Sequence, residues 1–149
     1  MVASRIYDYH SMNMQKTINF SSVPESLSIV ERLIDEVCKE CNVDEEFYGN
    51  ILISITEAVN NAIQHGNKCD PSKQVVLAYD ADVDEGKLCF TVKDEGDGFD
   101  YSTVPDPTAP ANAEKLNGRG IFLMRNLADK VGFSMKGRVV ELDFNLSPN

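Results

Sequence analysis

Hydrophobic residues recur at helical spacing in the first half of the chain, where they predict two amphipathic helices. The first helix has one apolar face, formed by Leu27, Val30, Ile34, Val37 and Cys41. The second has an apolar stripe, formed by Phe47, Ile51, Ile55, Val59 and Ala62. We expect both helices to pack through these faces against a common core.

Residues typical of helix ends flank both segments. Ser22 and Glu25 predict the start of the first helix, with Ser22 as the N-cap of a capping box. Asn42 and Glu45 predict the same arrangement for the second helix. Gly66 is a natural stop for that helix.

Beyond the second helix the hydrophobic period changes to two, which indicates strands. Strands are predicted at 13–20, 73–82 and 87–94, and a hairpin at 132–146 with Gly137 in its turn. The last strand alternates cleanly. Its inward-facing residues are Val140, Leu142, Phe144 and Leu146.

The segment 95–118 is rich in proline and glycine and is too long for an ordinary connection, so we interpret it as a binding loop or lid. A third helix is predicted at 120–129. The order β-α-α-β-β-loop-α-β-β predicts an α+β fold, a two-layer sandwich with helices on one face of a mixed, mostly antiparallel sheet. We expect residues 1–12 to be poorly ordered and 13–149 to form a single domain.

Composition restricts the classes of function. The 149 residues are 42% hydrophobic, enough for a core, and carry a net charge of -10. Such an acidic surface argues against direct binding to nucleic acid or to anionic membranes. No apolar run approaches the roughly 18 residues needed to span a bilayer, and the N-terminus lacks the apolar core of a signal peptide. We therefore expect a cytoplasmic protein.

The cysteine pattern is weak evidence for a metal site. In the cytoplasm the four cysteines are expected to be reduced. Cys38 and Cys41 form one C-x-x-C inside a predicted helix, whereas zinc usually takes four ligands. We interpret these two residues as small buried side chains.

A polar stripe on the second helix suggests chemistry. Its members are spaced by four, three, four and four residues: Asn50, Ser54, Glu57, Asn61 and His65. A solvated helix face is the usual explanation, but such faces are rich in Lys and Glu rather than Asn. An amide oxygen is a suitable ligand for Mg²⁺, and Glu57 is placed to orient or deprotonate a nucleophile at the same ion. Spacing alone allows either Asn60 or Asn61 as the ligand.

The sequence KDEGDGFD places Asp94, Gly96 and Gly98 directly after a predicted strand. Acidic residues with glycine are ordinary turn formers. The functional interpretation is that Asp94 accepts a hydrogen bond from an exocyclic amine while the glycines let backbone approach a flat base. This pattern would suit a purine pocket.

Glycines also precede the third predicted helix, at Gly118 and Gly120. Backbone N–H groups and the helix dipole favour anions such as phosphate at such a position. A flexible lid hinge is the structural alternative, and the two are compatible. The chain has no P-loop sequence and no G-x-G-x-x-G after a strand, so P-loop, Rossmann and common protein-kinase sites are excluded.

These motifs together, in this order, resemble the Bergerat ATP-binding fold of the GHKL superfamily. The segments EAVNNAIQHGN, VKDEGDGFD, VPDPTAP and NGRGIFLMRNLADKV are most similar to the anti-sigma-factor serine/threonine kinases of sporulation and general-stress switches. The resemblance covers residues 13–146.

The resemblance implies a role for each matched residue. Glu57 matches the general base, and Asn61, rather than Asn60, matches the magnesium ligand. Asp94 matches the adenine-binding aspartate, with Gly96 and Gly98 shaping the pocket, and 99–117 match the ATP lid. The remaining nucleotide-binding positions are Gly118, Arg119, Gly120 and Ile121, where Arg119 replaces an aliphatic residue and could reach the γ-phosphate or a partner.

The resemblance also implies partners and cofactors. Such kinases use ATP and Mg²⁺, phosphorylate a Ser or Thr of an anti-sigma-factor antagonist, inhibit a sigma factor and are commonly homodimers. A non-catalytic, nucleotide-dependent regulator of a partner-switching pathway is the main alternative. A detached histidine-kinase catalytic domain is a weaker one, because residues 1–43 are too short for a dimerisation hairpin and linker.

Overall fold

A computed structural model of the chain describes residues 13–98 and 116–146. The predicted lead at 1–12 and the lid residues 99–115 lie outside these ranges. Five strands are described: β1 (Asn13–Ser21), β2 (Gln74–Asp82), β3 (Lys87–Lys93), β4 (Lys130–Ser134) and β5 (Val139–Asn145). Three helices accompany them: α1 (Leu27–Glu40), α2 (Glu45–Asn61) and α3 (Leu116–Leu127). Short 3₁₀ turns span Pro24–Ser26 and Met135–Gly137, and a π-helical turn spans Ala62–Gly66.

The strands form a single sheet in the order β1-β2-β3-β5-β4. Each pair of neighbouring strands is antiparallel, so the described sheet lacks the parallel pair that a mixed sheet would contain. The last strand, β5, is inserted between β3 and β4. The predicted element order and α+β class are confirmed.

One face of the sheet is apolar and carries the helices. Alternate residues of β2, β3 and β5 point to it, as the period of two requires. The buried strand residues on this face are Val75, Leu77, Tyr79, Ala81, Leu88, Phe90, Val92, Val140, Leu142 and Phe144. The helices cover them with their own buried stripes, and one contiguous core results.

Aromatic rings occupy the middle of this core. Phe90 on β3 is fully buried and lies edge-to-face against Phe144 on β5, with ring centroids 6.1 Å apart. The ring of Tyr79 on β2 is tilted against Phe90 at 6.0 Å. Three adjacent strands are thus joined by aromatic contacts of the favoured geometry.

Both predicted capping boxes are wrong. Ser22 is fully buried, and its hydroxyl donates to the Lys73 carbonyl instead of capping a helix. Asn42 has a left-handed backbone with φ of 54°, and α2 begins only at Glu45, after Asp44. Neither helix start has a side-chain cap hydrogen bond. Tertiary contacts of Ser22 have overridden its local capping preference.

The third helix begins four residues earlier than its apolar pattern predicts. Because α3 starts at Leu116, Gly118 and Gly120 lie in its first turns rather than in a preceding loop. The first four N–H groups of any α-helix lack an intrahelical acceptor, so the N-terminal turn still offers donors at Gly118. Gly137 lies in the β4–β5 turn as predicted, with φ of 84°.

Within the described ranges no helix is long and apolar enough to cross a membrane.

The four cysteines are free. Burial raises the pKa of Cys38 to about 11, with smaller contributions from Cys41 and Asp35. That thiol is a buried, weakly acidic core group, as expected for Cys38, whereas Cys41 is only half-buried.

Candidate nucleotide site

The polar stripe of α2 lies partly inside the molecule. Ser54 is fully buried and satisfies its hydroxyl by donating to the carbonyl of Asn50, 2.7 Å away. Glu57 and Asn61 are half-buried, and His65 is exposed. Asn60 is half-buried and accepts a hydrogen bond from Gln64 at 3.1 Å. The stripe therefore differs from a uniformly solvated helix face.

Glu57 and Asn61 face α3 at a glycine. A methyl group at Gly120 would lie 3.0 Å from Oε2 of Glu57 and 3.0 Å from Nδ2 of Asn61. The helix backbone at Gly120 thus lies close to both polar groups and leaves little room for a side chain. The first and third sequence motifs meet at this point.

A π-helical turn continues α2 toward the second motif. The N–H of Asn67 bonds to the Ala62 carbonyl at 2.8 Å, five residues back, and the N–H of Cys69 extends the turn to the Ile63 carbonyl. This widened turn directly follows Asn61 and ends at Gly66, which it places against Asp94 at the end of β3. Single π-turns of this kind are frequent at functional sites.

Asp94 lies at the end of the central strand β3 and is 8% exposed. Its Oδ1 accepts the N–H of Gly96 at 2.8 Å. A methyl group at Gly66 would lie 2.4 Å from Cγ of Asp94, and one at Gly96 would lie 2.0 Å from the Gly66 carbonyl oxygen. Two glycines are therefore required for the α2 terminus and the Asp94 turn to pack together.

The electrostatics of Asp94 are set by opposing effects. Burial raises the pKa of its carboxyl above the usual value. The N–H of Gly96 and the charges of Arg138 and Lys73 lower that pKa, by less than burial raises it. The carboxylate is thus a desolvated hydrogen-bond acceptor with few partners from the protein itself.

A pocket opens beside Asp94 between α2, α3 and the sheet. Its apolar walls are Ala62, Val92, Ile121, Met124, Phe133 and Val140. Asn61, His65, Asp94 and Arg138 supply polar groups at its margins. The empty volume is about 560 Å³, part of it open to solvent. Apolar walls with a few placed polar groups are typical of small-molecule sites.

The β4–β5 hairpin closes one side of the pocket. Gly98 has φ of 86° and packs against this hairpin, since a methyl group there would lie 2.1 Å from the Lys136 carbonyl oxygen. Met135 and Lys136 also adopt left-handed backbone angles. This sharp turn brings Arg138 to the pocket, and the Arg138 carbonyl accepts the N–H of Asp94 at 3.0 Å.

The structure brings most predicted site residues together. Ile121 is buried in the pocket wall, and Arg119 is exposed on α3. The sequence did not indicate Gly66, Asn67 or Arg138 as part of the site. Gly66 resembled only a helix stop, and the contacts that link all three residues to Asp94 or Glu95 join distant parts of the chain.

These features define an ATPase domain of a known class. The chain belongs to the family described as the histidine kinase-like ATPase domain, which matches residues 20–144. The α+β fold, with a polar helix stripe facing an aspartate at a strand end, agrees with that membership.

Named relatives are similar over most of the chain. The serine-protein kinase RsbW of Listeria innocua serovar 6a is 24% identical over 127 residues, which cover 81% of this chain and 80% of that protein. The serine-protein kinase RsbW of Staphylococcus aureus strain JH9 is 26% identical over 113 residues, covering 72% and 70%.

A solved structure shares the fold. The structure of the RsbU and RsbW domains of Rv1364c from Mycobacterium tuberculosis aligns with a TM-score of 0.64 at 19% identity. The match covers 91% of this chain but 33% of that one, so this chain spans about a third of that polypeptide.

Proposed function

We propose that this protein is an ATP-dependent serine/threonine kinase and anti-sigma factor that phosphorylates an antagonist protein in a partner-switching pathway. The observation that carries this proposal is that Glu57 and Gly120 lie close to Asn61, which lines the same pocket as Asp94. Relatives named serine-protein kinase support the reaction type.

The donor set fits a magnesium nucleotide. Asp94 is a buried acceptor at the margin of the pocket, and the apolar pocket walls suit a purine. Asn61 offers an amide oxygen beside a carboxylate, a suitable ligand pair for Mg²⁺ near phosphate. When bound there, Mg²⁺ would offset charge on the phosphate oxygens. Gly118, Arg119 and Gly120 lie at the α3 N-terminus, where anions are favoured.

Glu57 would serve the chemical step. The hydroxyl of the antagonist Ser or Thr gives its proton to the Glu57 carboxylate, and its oxygen forms a bond to the γ-phosphorus. The bond between the γ-phosphorus and the β–γ bridging oxygen breaks, and ADP leaves. In this proposal the protein acts in the cytoplasm as a homodimer, with the antagonist and a sigma factor as partners.

The test is the Glu57→Gln substitution, assayed with Mg²⁺ and γ-labelled ATP against proteins captured by the ADP-loaded and the ATP-loaded chain. We expect transfer to fall at least about 10²-fold, since a general base contributes 10²–10⁴-fold. Nucleotide affinity should stay within about threefold because the amide keeps the shape of the side chain. Glu31→Gln, an exposed carboxylate change on α1, is the matched control.

Two results would contradict the proposal. Undiminished transfer by Glu57→Gln would remove the assigned base. Nucleotide-dependent capture without any transfer by the parent protein would favour a non-catalytic regulator of the same pathway.

A further inference from the structure

One buried amide beside the pocket has no part in the proposed reaction. Asn67 is 1% exposed and directly follows the π-helical turn at the end of α2. Burying a side-chain amide costs free energy unless its polar atoms are hydrogen-bonded. The partners of Asn67 therefore show which parts of the chain this residue holds.

Each polar atom of the Asn67 side chain is paired. Oδ1 accepts the backbone N–H of Glu95 at 2.7 Å. Nδ2 donates to Oγ of Ser22 at 2.7 Å and to the Gln74 carbonyl at 3.0 Å. The orientation is fixed, because a flipped amide would place Nδ2 against an N–H and Oδ1 against a carbonyl.

The side chain of Glu95, as well as its backbone N–H, is held by this network. Its carboxylate accepts the N–H of Gln74 at 2.6 Å. Ser22 is fully buried and extends the network, because its hydroxyl donates to the Lys73 carbonyl at 2.8 Å. The turn after β3 is thus tied both to the α2 terminus and to the beginning of β2.

These bonds hold the peptide units on both sides of Asp94. The N–H of Asp94 donates to the Arg138 carbonyl at 3.0 Å, and the next N–H, that of Glu95, donates to Asn67. Gly66, the residue before Asn67, packs directly on the Asp94 carboxylate. Loss of Oδ1 would leave the partly buried Glu95 N–H without its acceptor, so the turn would shift to find another.

We propose that Asn67 is a positioning residue that fixes the Asp94 carboxylate for recognition of the 6-amino group of adenine. This inference rests on the proposed function, in which Asp94 binds that amine. It assigns Asn67 a role in base selectivity, beyond general support of the fold.

The experiment compares two nucleotides by calorimetric titration with Mg²⁺ present: ADP, and purine riboside 5′-diphosphate, which has hydrogen in place of the 6-amino group. The parent protein should prefer ADP about tenfold, as expected for one buried hydrogen bond to a charged acceptor. In Asn67→Ala we expect ADP affinity to fall about tenfold while affinity for the second nucleotide changes less than about threefold. The preference for ADP is then lost.

Two further variants calibrate the result. Ser22→Ala removes one of the three bonds of the Asn67 amide, so the ADP preference should fall about two- to threefold. Asn19→Ala removes an exposed side chain whose described hydrogen bond is to the side chain of Gln74 at 2.9 Å, and should keep the full preference. Thermal unfolding of each variant shows whether it is folded.

The outcomes separate this inference from the proposed function. A parent protein that binds both nucleotides equally would overturn the role of Asp94, and this inference with it. A discriminating parent with an Asn67→Ala variant that loses affinity for both nucleotides alike, or that keeps its preference, would overturn this inference alone. If Asn67→Ala does not fold, Ser22→Ala decides, and an unchanged ADP preference in that variant contradicts the inference.

Discussion

At Gly120 a methyl group would lie 3.0 Å from the ends of the Glu57 and Asn61 side chains, so a substitution there would require both to shift slightly. The polar stripe on the second predicted helix indicated Glu57 and left Asn60 and Asn61 as alternatives, and the family resemblance favoured Asn61. The sequence could not indicate Gly66 or Asn67, whose importance depends on Asp94 and Glu95, about thirty positions further along the chain. The roles of all these residues in nucleotide binding stay predictions.

Asp94→Asn should separate stability from function. Because burial raises the folded-state pKa of this carboxyl, its contribution to stability is full below the unfolded pKa near 3.8 and is lost as pH rises through the folded pKa. At pH 7 the neutral amide of Asn avoids the free-energy cost of burying a charged carboxylate. We expect the free energy of unfolding to rise by roughly 0.5–1 kcal/mol and ADP affinity to fall at least tenfold.

Denaturant unfolding between pH 3 and 8, together with calorimetric titration, measures both effects. The stability gain should shrink as pH falls toward 3.8. Asp84→Asn, an exposed change in the β2–β3 turn, is the control. A variant that binds ADP as tightly as the parent would show that Asp94 does not contact the base.

At the scale of elements, periodicity predicted the existence and type of each helix and strand, but not their ends. The capping prediction at Ser22 failed because its hydroxyl has partners just before β2 and after α2. The start of α3 was missed because its first turn is polar and glycine-containing, and a helical period becomes visible only from Ile121 onward. End positions depend on contacts that a local pattern does not contain.

Gly49→Ala should stabilise α2. Gly49 lies in the second turn of that helix, and a methyl group there would have no neighbour within 4 Å. Alanine restricts the unfolded backbone and favours helix, so the free energy of unfolding should rise by about 0.5–1 kcal/mol.

Thermal and denaturant unfolding check this prediction. Gly132→Ala on β4, which also has open space around it, should change stability less because alanine has no comparable preference for strands. Nucleotide affinity should be unaffected in both variants. A lower unfolding temperature for Gly49→Ala would contradict the argument.

At the scale of the molecule, the order of elements predicted the α+β class and the two layers, and the structure confirms both. The pairing of β4 with β5 was predicted from their short turn, but the full strand order was not. The alternation within each strand fixes which residues face inward, not which strands lie beside each other across longer connections. The insertion of β5 between β3 and β4 was therefore not predicted. It is also what brings Val140 to the pocket.

Phe90→Ala tests how far the fold depends on the aromatic contacts between strands. Phe90 is fully buried against Tyr79 and Phe144, so its loss should lower the free energy of unfolding by about 3–5 kcal/mol. Phe122→Ala removes a ring that is 41% exposed on α3 and should cost far less, about 0.5–1 kcal/mol. Denaturant titration of both variants measures the difference. Equal losses in the free energy of unfolding would show that Phe90 is no more important to the core than the exposed Phe122.

The position of β5 has a consequence for synthesis. Glu57, Asn61 and Asp94 leave the ribosome before the strand that completes the pocket, since Arg138 and Val140 are near the end of the described chain. The central strand β3 has β2 on one side, and its other edge stays unpaired until β5 has been translated. β4 is translated before β5 but pairs only with it, so β4 can join the sheet only after β5. A nascent chain therefore cannot complete this pocket until β5 has left the ribosome.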